Sequence, residues 1–240
     1  MSNPPQNQTD FDLFLDREVS KRKFAWKDVS KFPLHQVVNA WHIAGLRLMP
    51  IDEETGKGYK DIKPELTENL CKFLLRDPSF KGDLDKGILI IGPTGTGKTK
   101  YTEIFGIMLK YLHFKEVSTY TAKEMENILK LKPESEPVQT LWGEVMTSSV
   151  FVFDDIGMES PTIKSMGSEI NIGVDVLNAR HHAFMQKGYL TIATSNLRVK
   201  TSDPMLKNTT FMHRYGERID SRIHELFNVF SLQGDDLRKK

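Results

Sequence analysis

Residues 92 to 99 read GPTGTGKT, a glycine-rich stretch that ends in a lysine and a threonine. It satisfies the pattern G-x-x-x-x-G-K-[ST] at every fixed position, with the apolar run GILII before it and a helical pattern after it. Gly95 and Gly97 let backbone N–H groups turn inward around a phosphate, and the following helix aims its N-terminus at the same anion. Gly92, Pro93, Thr94, Gly95, Thr96, Gly97, Lys98 and Thr99 therefore read as a nucleotide phosphate loop. Lys98 supplies a mobile positive charge for the β and γ phosphates, and Thr99 a hydroxyl for Mg2+.

A second pattern supports the first. VFVFDDIG, residues 150 to 157, is an apolar strand ending in two acids. Such a strand suits the magnesium side of a phosphate-loop site, with Asp154 holding the metal and Asp155 orienting or activating the attacking water. Further on, ATSN closes another apolar strand, where Asn196 or Thr194 is placed to hydrogen-bond the water or the γ-phosphate. Near the end, Arg214, Arg218 and Arg222 recur every four residues. On one helix they form a row, which is a solvated face or the source of an arginine for a phosphate. The D-x-x-G of a GTPase is present in DDIG, but no N-K-x-D accompanies it and no LSGGQ-like segment occurs. Guanine specificity and a transporter ATPase are thereby set aside.

These residues need elements to hold them. From Gly87 onward the chain alternates apolar strands and amphipathic helices, predicting five strands in an α/β domain with a mainly parallel sheet. The strands fall at GILIIG, EVSTYTA, SVFVFDDIG, YLTIATSNL and FNVFSLQG. Helices are expected over KTKYTEIFGIMLKYLHF, AKEMENILKLK, VQTLWGEVM, EINIGVDVLNARHHAFMQKG and the arginine-bearing RYGERIDSRIHELF. Upstream, LHQVVNAWHIAGLRLM and KPELTENLCKFLLRD carry helical apolar stripes. The expected organisation is an N-terminal arm over 1–33, a helical lead-in over 34–82 and an ATPase core over 83–240.

The arm holds two features of its own. Phe11, Phe14, Leu15 and Val19 form an apolar stripe suited to docking on a partner groove or on its own domain. KRKFAWK, residues 21 to 27, suits single-stranded nucleic acid or an acidic partner, or else a basic helix end with its aromatics packed on the core. Arg180 is a candidate for facing a neighbouring subunit, His181 and His182 read as helix-surface residues, and Tyr59 and Ile62 as adenine contacts.

Composition narrows the class. The chain has 240 residues and a formal net charge of +1, so DNA contact has to come from local patches. Cys71 is the only cysteine, which excludes an internal disulfide and a cysteine-rich zinc module and suits a reducing cytoplasm. No apolar run approaches membrane-spanning length, and the first residues lack the order of a signal peptide.

With these motifs in order, the chain resembles the DnaC and IstB branch of the AAA+ ATPases, which are helicase loaders and transposition helpers. The resemblance spans about residues 60 to 240 and rests on GPTGTGKT, FVFDDIG, TIATSNL, GERIDSR and GDDLR. It implies a P-loop fold with a five-stranded parallel sheet in the order 5-1-4-3-2. The end of the chain, two residues after Arg238, implies no separate helical lid domain. It matches Lys98 and Thr99 to the Walker A pair and Asp154 and Asp155 to the Walker B acids. Asn196 matches sensor 1, Arg222 the arginine finger and Arg238 sensor 2. Asp155 stands where many AAA+ enzymes carry the longer Glu. The resemblance implies ATP and Mg2+ as cofactors, a homo-oligomer with ATP at its interfaces, and single-stranded DNA with a replicative helicase or a transposase as partners. Three activities remain open at this level: a helicase loader, a transposition helper and a non-hydrolysing nucleotide-dependent scaffold.

Overall fold

The computed structural model describes residues 23–54, 56, 58–165, 168–199, 201–234 and 236. The apolar stripe at Phe11 to Val19, the basic pair Lys21 and Arg22, and Arg238 lie outside the described residues.

Two helices, α1 (Leu34–Leu48) and α2 (Pro64–Leu74), precede the sheet. Pro64 opens α2, at the one helical position where its missing N–H costs nothing. The core then runs β1 (Gly87–Ile91), α3 (Lys98–His113), β2 (Ser118–Thr121), α4 (Ala122–Leu129), α5 (Glu136–Thr147) and β3 (Val150–Ile156). A small hairpin, β4 (Ile163–Ser165) with β5 (Ser168–Ile170), leads into α6 (Ile172–Lys187) and β6 (Leu190–Ser195). A 3-10 turn over Pro204–Thr209 is followed by α7 (Phe211–Tyr215), α8 (Glu217–Leu226) and β7 (Phe227–Ser231).

The five long strands form one parallel sheet in the order β2-β3-β6-β1-β7. Counted along the chain and read from the other edge, this is the 5-1-4-3-2 order that the family resemblance implies.

Period-two alternation splits the core into two layers. Ile88, Ile90, Val150, Val152, Leu190 and Ile192 face one side, where α1, α2 and α3 bring Trp41, Leu70, Phe73 and Phe105. Leu89, Phe151, Phe153 and Ala193 face the other, where α4, α5, α6, α7 and α8 bring Met125, Leu141, Leu177, Phe211 and Ile223. The phosphate-loop helix α3 and the arginine helix α8 thus lie on opposite faces of the sheet.

Three expectations need correcting. The helix expected from Glu169 starts at Ile172, where Asn171 caps the N–H of Val174; Glu169 and Ile170 instead pair in the hairpin. The segment carrying three arginines is two helices, because Gly216 sits at φ 85 between them and breaks the row. Arg180 faces no neighbour. It is fully buried, donating to Val145 O, Ser148 O and Leu190 O and to the Thr191 hydroxyl. Burial pushes its guanidinium down to about 10, still charged at neutral pH.

Candidate functional site

The phosphate loop is shaped by backbone that tolerates no side chain. Gly95 and Gly97 take φ 83 and 84, the left-handed region open to glycine. A Cβ on Gly92 would come within 2.1 Å of the Leu232 carbonyl oxygen, because the loop starts where β1 and the end of β7 run side by side. A Cβ on Gly95 would come within 1.9 Å of a carboxylate oxygen of Asp236, so that side chain reaches the loop. Thr96 is buried and ties the loop to itself, donating to Pro93 O at 2.9 Å.

Lys98 is buried under this loop. Its ammonium donates to Gly92 O at 2.9 Å, to Pro93 O at 2.8 Å and to Asn196 Oδ1 at 2.7 Å. The sequence places Lys98 and Asn196 nearly a hundred residues apart. The β1–β6 pairing, Ile91 beside Ser195, brings them into contact. Thr99, the next residue on α3, donates from its hydroxyl to Asp154 Oδ2 at 2.9 Å.

The two acids sit on an irregularity. Phe153 pairs with Ala193 and Ile156 with Ser195, so two residues of β3 oppose Thr194 alone. The Thr194 hydroxyl serves both: it donates to Asp154 Oδ1 at 2.5 Å and accepts from the Asp155 N–H at 2.9 Å. Asp155 takes φ 56, a left-handed conformation that Asp tolerates better than most residues. Asp154 is buried and Asp155 half-buried. Asn196 and Thr194 were alternatives in the sequence; the structure gives them different tasks, Asn196 on the lysine and Thr194 on the acids.

A residue that sequence reasoning missed holds the turn after the acids. Glu159 is buried, and its Oε2 accepts from the Gly157 N–H at 2.9 Å. Its Oε1 accepts from the Tyr215 hydroxyl and lies 3.7 Å from Arg214 Nη2, which also donates to the Glu159 carbonyl. Burial, and the Glu159 charge beside it, push the Tyr215 phenol far above its ordinary range. A charged residue between Met158 and Ser160, outside any periodic pattern, gives no sequence sign of burial.

The arginines therefore part company. Arg214 turns inward to Glu159. Arg218, exposed, and Arg222, half-buried, line an open surface cavity of about 470 Å³ with His181, Glu217, Ser221 and Glu225. His181 is within 2.8 Å of Glu225, and this hydrogen bond, ahead of the nearby Arg222 charge, holds the Glu225 carboxyl below its usual range. His181 is thus part of the arginine helix's surroundings, while His182 is exposed.

The remaining candidates are packed. Trp26 meets Phe73 and His113 edge-on at 5.5 and 4.7 Å, with Arg76 over its ring, and Lys115 lies 4.8 Å from the Phe24 ring. Of the readings open for KRKFAWK, these contacts favour aromatics packed on the core. The Tyr59 hydroxyl is 2.9 Å from His42 Nδ1, and its ring occupies the space a Cβ on Gly45 would need. Ile62 packs on the same layer as α3. Among the described residues no helix is long and apolar enough to cross a membrane.

No protein-family model matches the chain. A 99-residue stretch is 31% identical to the vesicular-fusion protein SEC18 of Saccharomyces cerevisiae; it covers 39% of this chain and 13% of that protein's length. Among solved structures, the DnaC helicase loader superposes with a TM-score of 0.52 at 17% identity, over 72% of this chain and 92% of that one. DnaI superposes with the same score at 18% identity, over 72% and 88%. The chain has the α/β fold of these proteins, a five-stranded parallel sheet flanked by helices.

Proposed function

We propose that this chain is an ATP-binding and ATP-hydrolysing factor of DNA metabolism, a DnaC-like loader of a replicative helicase acting in DNA replication. The observation that carries the proposal is the convergence of Lys98, Thr99, Asp154, Asp155 and Asn196 from three separate strand ends onto one glycine-rich loop. Two left-handed glycines and a helix N-terminus make that loop an anion cradle. The oxygen set of Thr99 and Asp154 suits a hard divalent cation such as Mg2+.

ATP with Mg2+ supplies the scissile anhydride and a cation that offsets phosphate charge. The chain's own residues do the rest. Gly92 to Thr99 hold the phosphates. Lys98 exchanges carbonyl partners for phosphate oxygens, and Asn196 keeps it aimed. Asp154 and Thr99 hold the metal, while Asp155 orients the attacking water. Arg238 is matched to sensor 2 by the sequence resemblance. Arg222 sits on the sheet face opposite α3, which supports its acting on the ATP of the next subunit in a homo-oligomer. Single-stranded DNA then meets basic patches aligned by assembly, as a net charge of +1 requires. The shared fold of the DnaC helicase loader and DnaI supports the loader reading, with the transposition helper as the alternative.

The test has two parts. Lys98→Ala and Arg222→Ala are each expected to be nearly inactive and to recover part of the turnover when mixed, since an intact finger then meets an intact site. Such arginines are worth ~10³-fold in rate. With ATP, the immobilised chain is expected to retain a replicative helicase. Retention of a transposase moves the chain to transposition, and no ATP turnover by the assembled protein on single-stranded DNA leaves a scaffold.

A further inference from the structure

Glu159 is an acid with no assigned task, yet it is buried and bonded on both sides. On one side it holds the Gly157 N–H, two residues beyond the strained Asp155. That stretch of chain has little freedom: Gly157 lies at φ 100, where a Cβ would come within 2.9 Å of Leu197. On the other side Glu159 holds Tyr215 and Arg214, the last two residues of α7. Tyr215 is wedged in turn, because its ring fills the space a Cβ on Gly173 would take, at 2.5 Å. The next residue, Gly216, is the pivot at which α8 begins, and α8 carries Arg218 and Arg222. Arg214 is spent on this contact rather than displayed to solvent, which also accounts for an arginine row that the fold does not use as a row.

We propose that Glu159 is a positioning residue that couples a subunit's own acid-bearing turn, Asp154 to Gly157, to the orientation of the arginine helix it presents to its neighbour. The coupling rests on the trans arrangement proposed above for Arg222. A shift of the turn when Asp154 engages the metal and Asp155 the attacking water moves the Gly157 N–H, and the Glu159 carboxylate transmits it to Tyr215 and the Gly216 pivot. A buried carboxylate that accepts from the Gly157 N–H on one oxygen and from the Tyr215 hydroxyl on the other, with the Arg214 guanidinium 3.7 Å away, suits this task, since displacing one donor forces the other to realign.

The experiment places Glu159→Gln separately in the two halves of the mixing assay. In the Lys98→Ala chain, which contributes only its finger and whose own site is empty, the substitution reads the resting orientation that Glu159 gives α8 and is expected to lower recovered turnover by about tenfold or more, the scale of one charged hydrogen bond. In the Arg222→Ala chain, which contributes only its site, it is expected to leave recovery near the parental mixture. Equal loss in both halves, loss confined to the site half, or no loss in either overturns the positioning role. Should the parental mixture itself fail to recover, the trans arrangement is what fails; in either case amide exchange decides whether Glu159 couples the occupied turn to α8. In the otherwise unsubstituted chain, ATP·Mg2+ is expected to change exchange over 217–226. In Glu159→Gln that change is expected to vanish while nucleotide still binds; a retained response overturns the proposal. Tyr215→Phe keeps the ring and removes one donor, and repeats both measurements with a smaller lesion should Glu159→Gln not fold.

Discussion

The Thr194 hydroxyl and the Asp154 carboxylate meet at 2.5 Å across the β3–β6 pairing, with Thr194 the single residue of β6 facing two of β3. One hydroxyl thus fixes the carboxylate that would hold the metal and satisfies the backbone N–H of the acid beside it. Thr194→Val keeps the branched shape and removes both bonds. It leaves the Asp155 N–H unpaired, which costs about 1–3 kcal/mol of stability. Urea unfolding is expected to show the loss, and a Mg2+ titration in the presence of ATP is expected to show weaker metal affinity. Wild-type values in both would mean the hydroxyl is incidental.

Asp155→Asn is expected to bind ATP·Mg2+ and to turn over very little. Asn tolerates the left-handed conformation at φ 56 as Asp does, so the bulge survives. On the proposed roles, Asp154 would stay on the metal, and only the acid proposed to orient water is removed. A steady-state assay giving wild-type turnover would assign that task to another residue.

Arg180→Met keeps an unbranched stem and removes a cation whose bonds go to three carbonyl oxygens and one hydroxyl. Those carbonyls lie inside the molecule, so the variant is expected to lose on the order of 3 kcal/mol of unfolding free energy. Mixed with Arg222→Ala and with Lys98→Ala, it should show no separate defect in complementation at temperatures where it is folded. A full-stability variant that fails only in mixing would return Arg180 to a subunit interface.

Glu126 is buried, accepting from Lys130, Lys123 and the backbone and hydroxyl of Ser160. The Lys130 hydrogen bond first, then the Ser160 N–H and Lys123, lower its carboxyl from the ordinary 4.5 to about 2. A depressed folded-state value stabilises the fold above the unfolded value and loses that contribution as pH falls toward the folded one. The stability gap between wild type and Glu126→Gln is therefore expected to be full at pH 7 and to close between pH 4.5 and about 2. A gap independent of pH would remove the charged contacts as its cause.

Where function is written in local spacing, the sequence reading went far. The candidate phosphate loop has its glycines, lysine and threonine in one unbroken octet, as a single turn of backbone around an anion would need. The two acids are adjacent for a similar local reason. Strand runs such as GILII were legible because a strand buried on both faces is apolar throughout. The break at Gly216 was harder to see, since the apolar stripe continues on both sides of it. Only the φ of 85 shows that the helix restarts. The burial of Arg180 was invisible for a related reason: its partners are backbone carbonyls, which leave no trace in residue types.

The sequence by itself determined which chemistry this chain is equipped for, because a phosphate loop and its acids are short-range constructions. The tertiary structure alone decided which residues serve together. Parallel β1–β6 pairing sets Asn196 on Lys98, and the β3 bulge sets Thr194 on both acids. Burial turns Glu159 toward Arg214 and Tyr215. The sheet then separates the arginine helix from the phosphate-loop helix by putting them on opposite faces. These are contacts between segments far apart in the chain. Strand order and strand register create them, and neither is encoded in the spacing of any one segment.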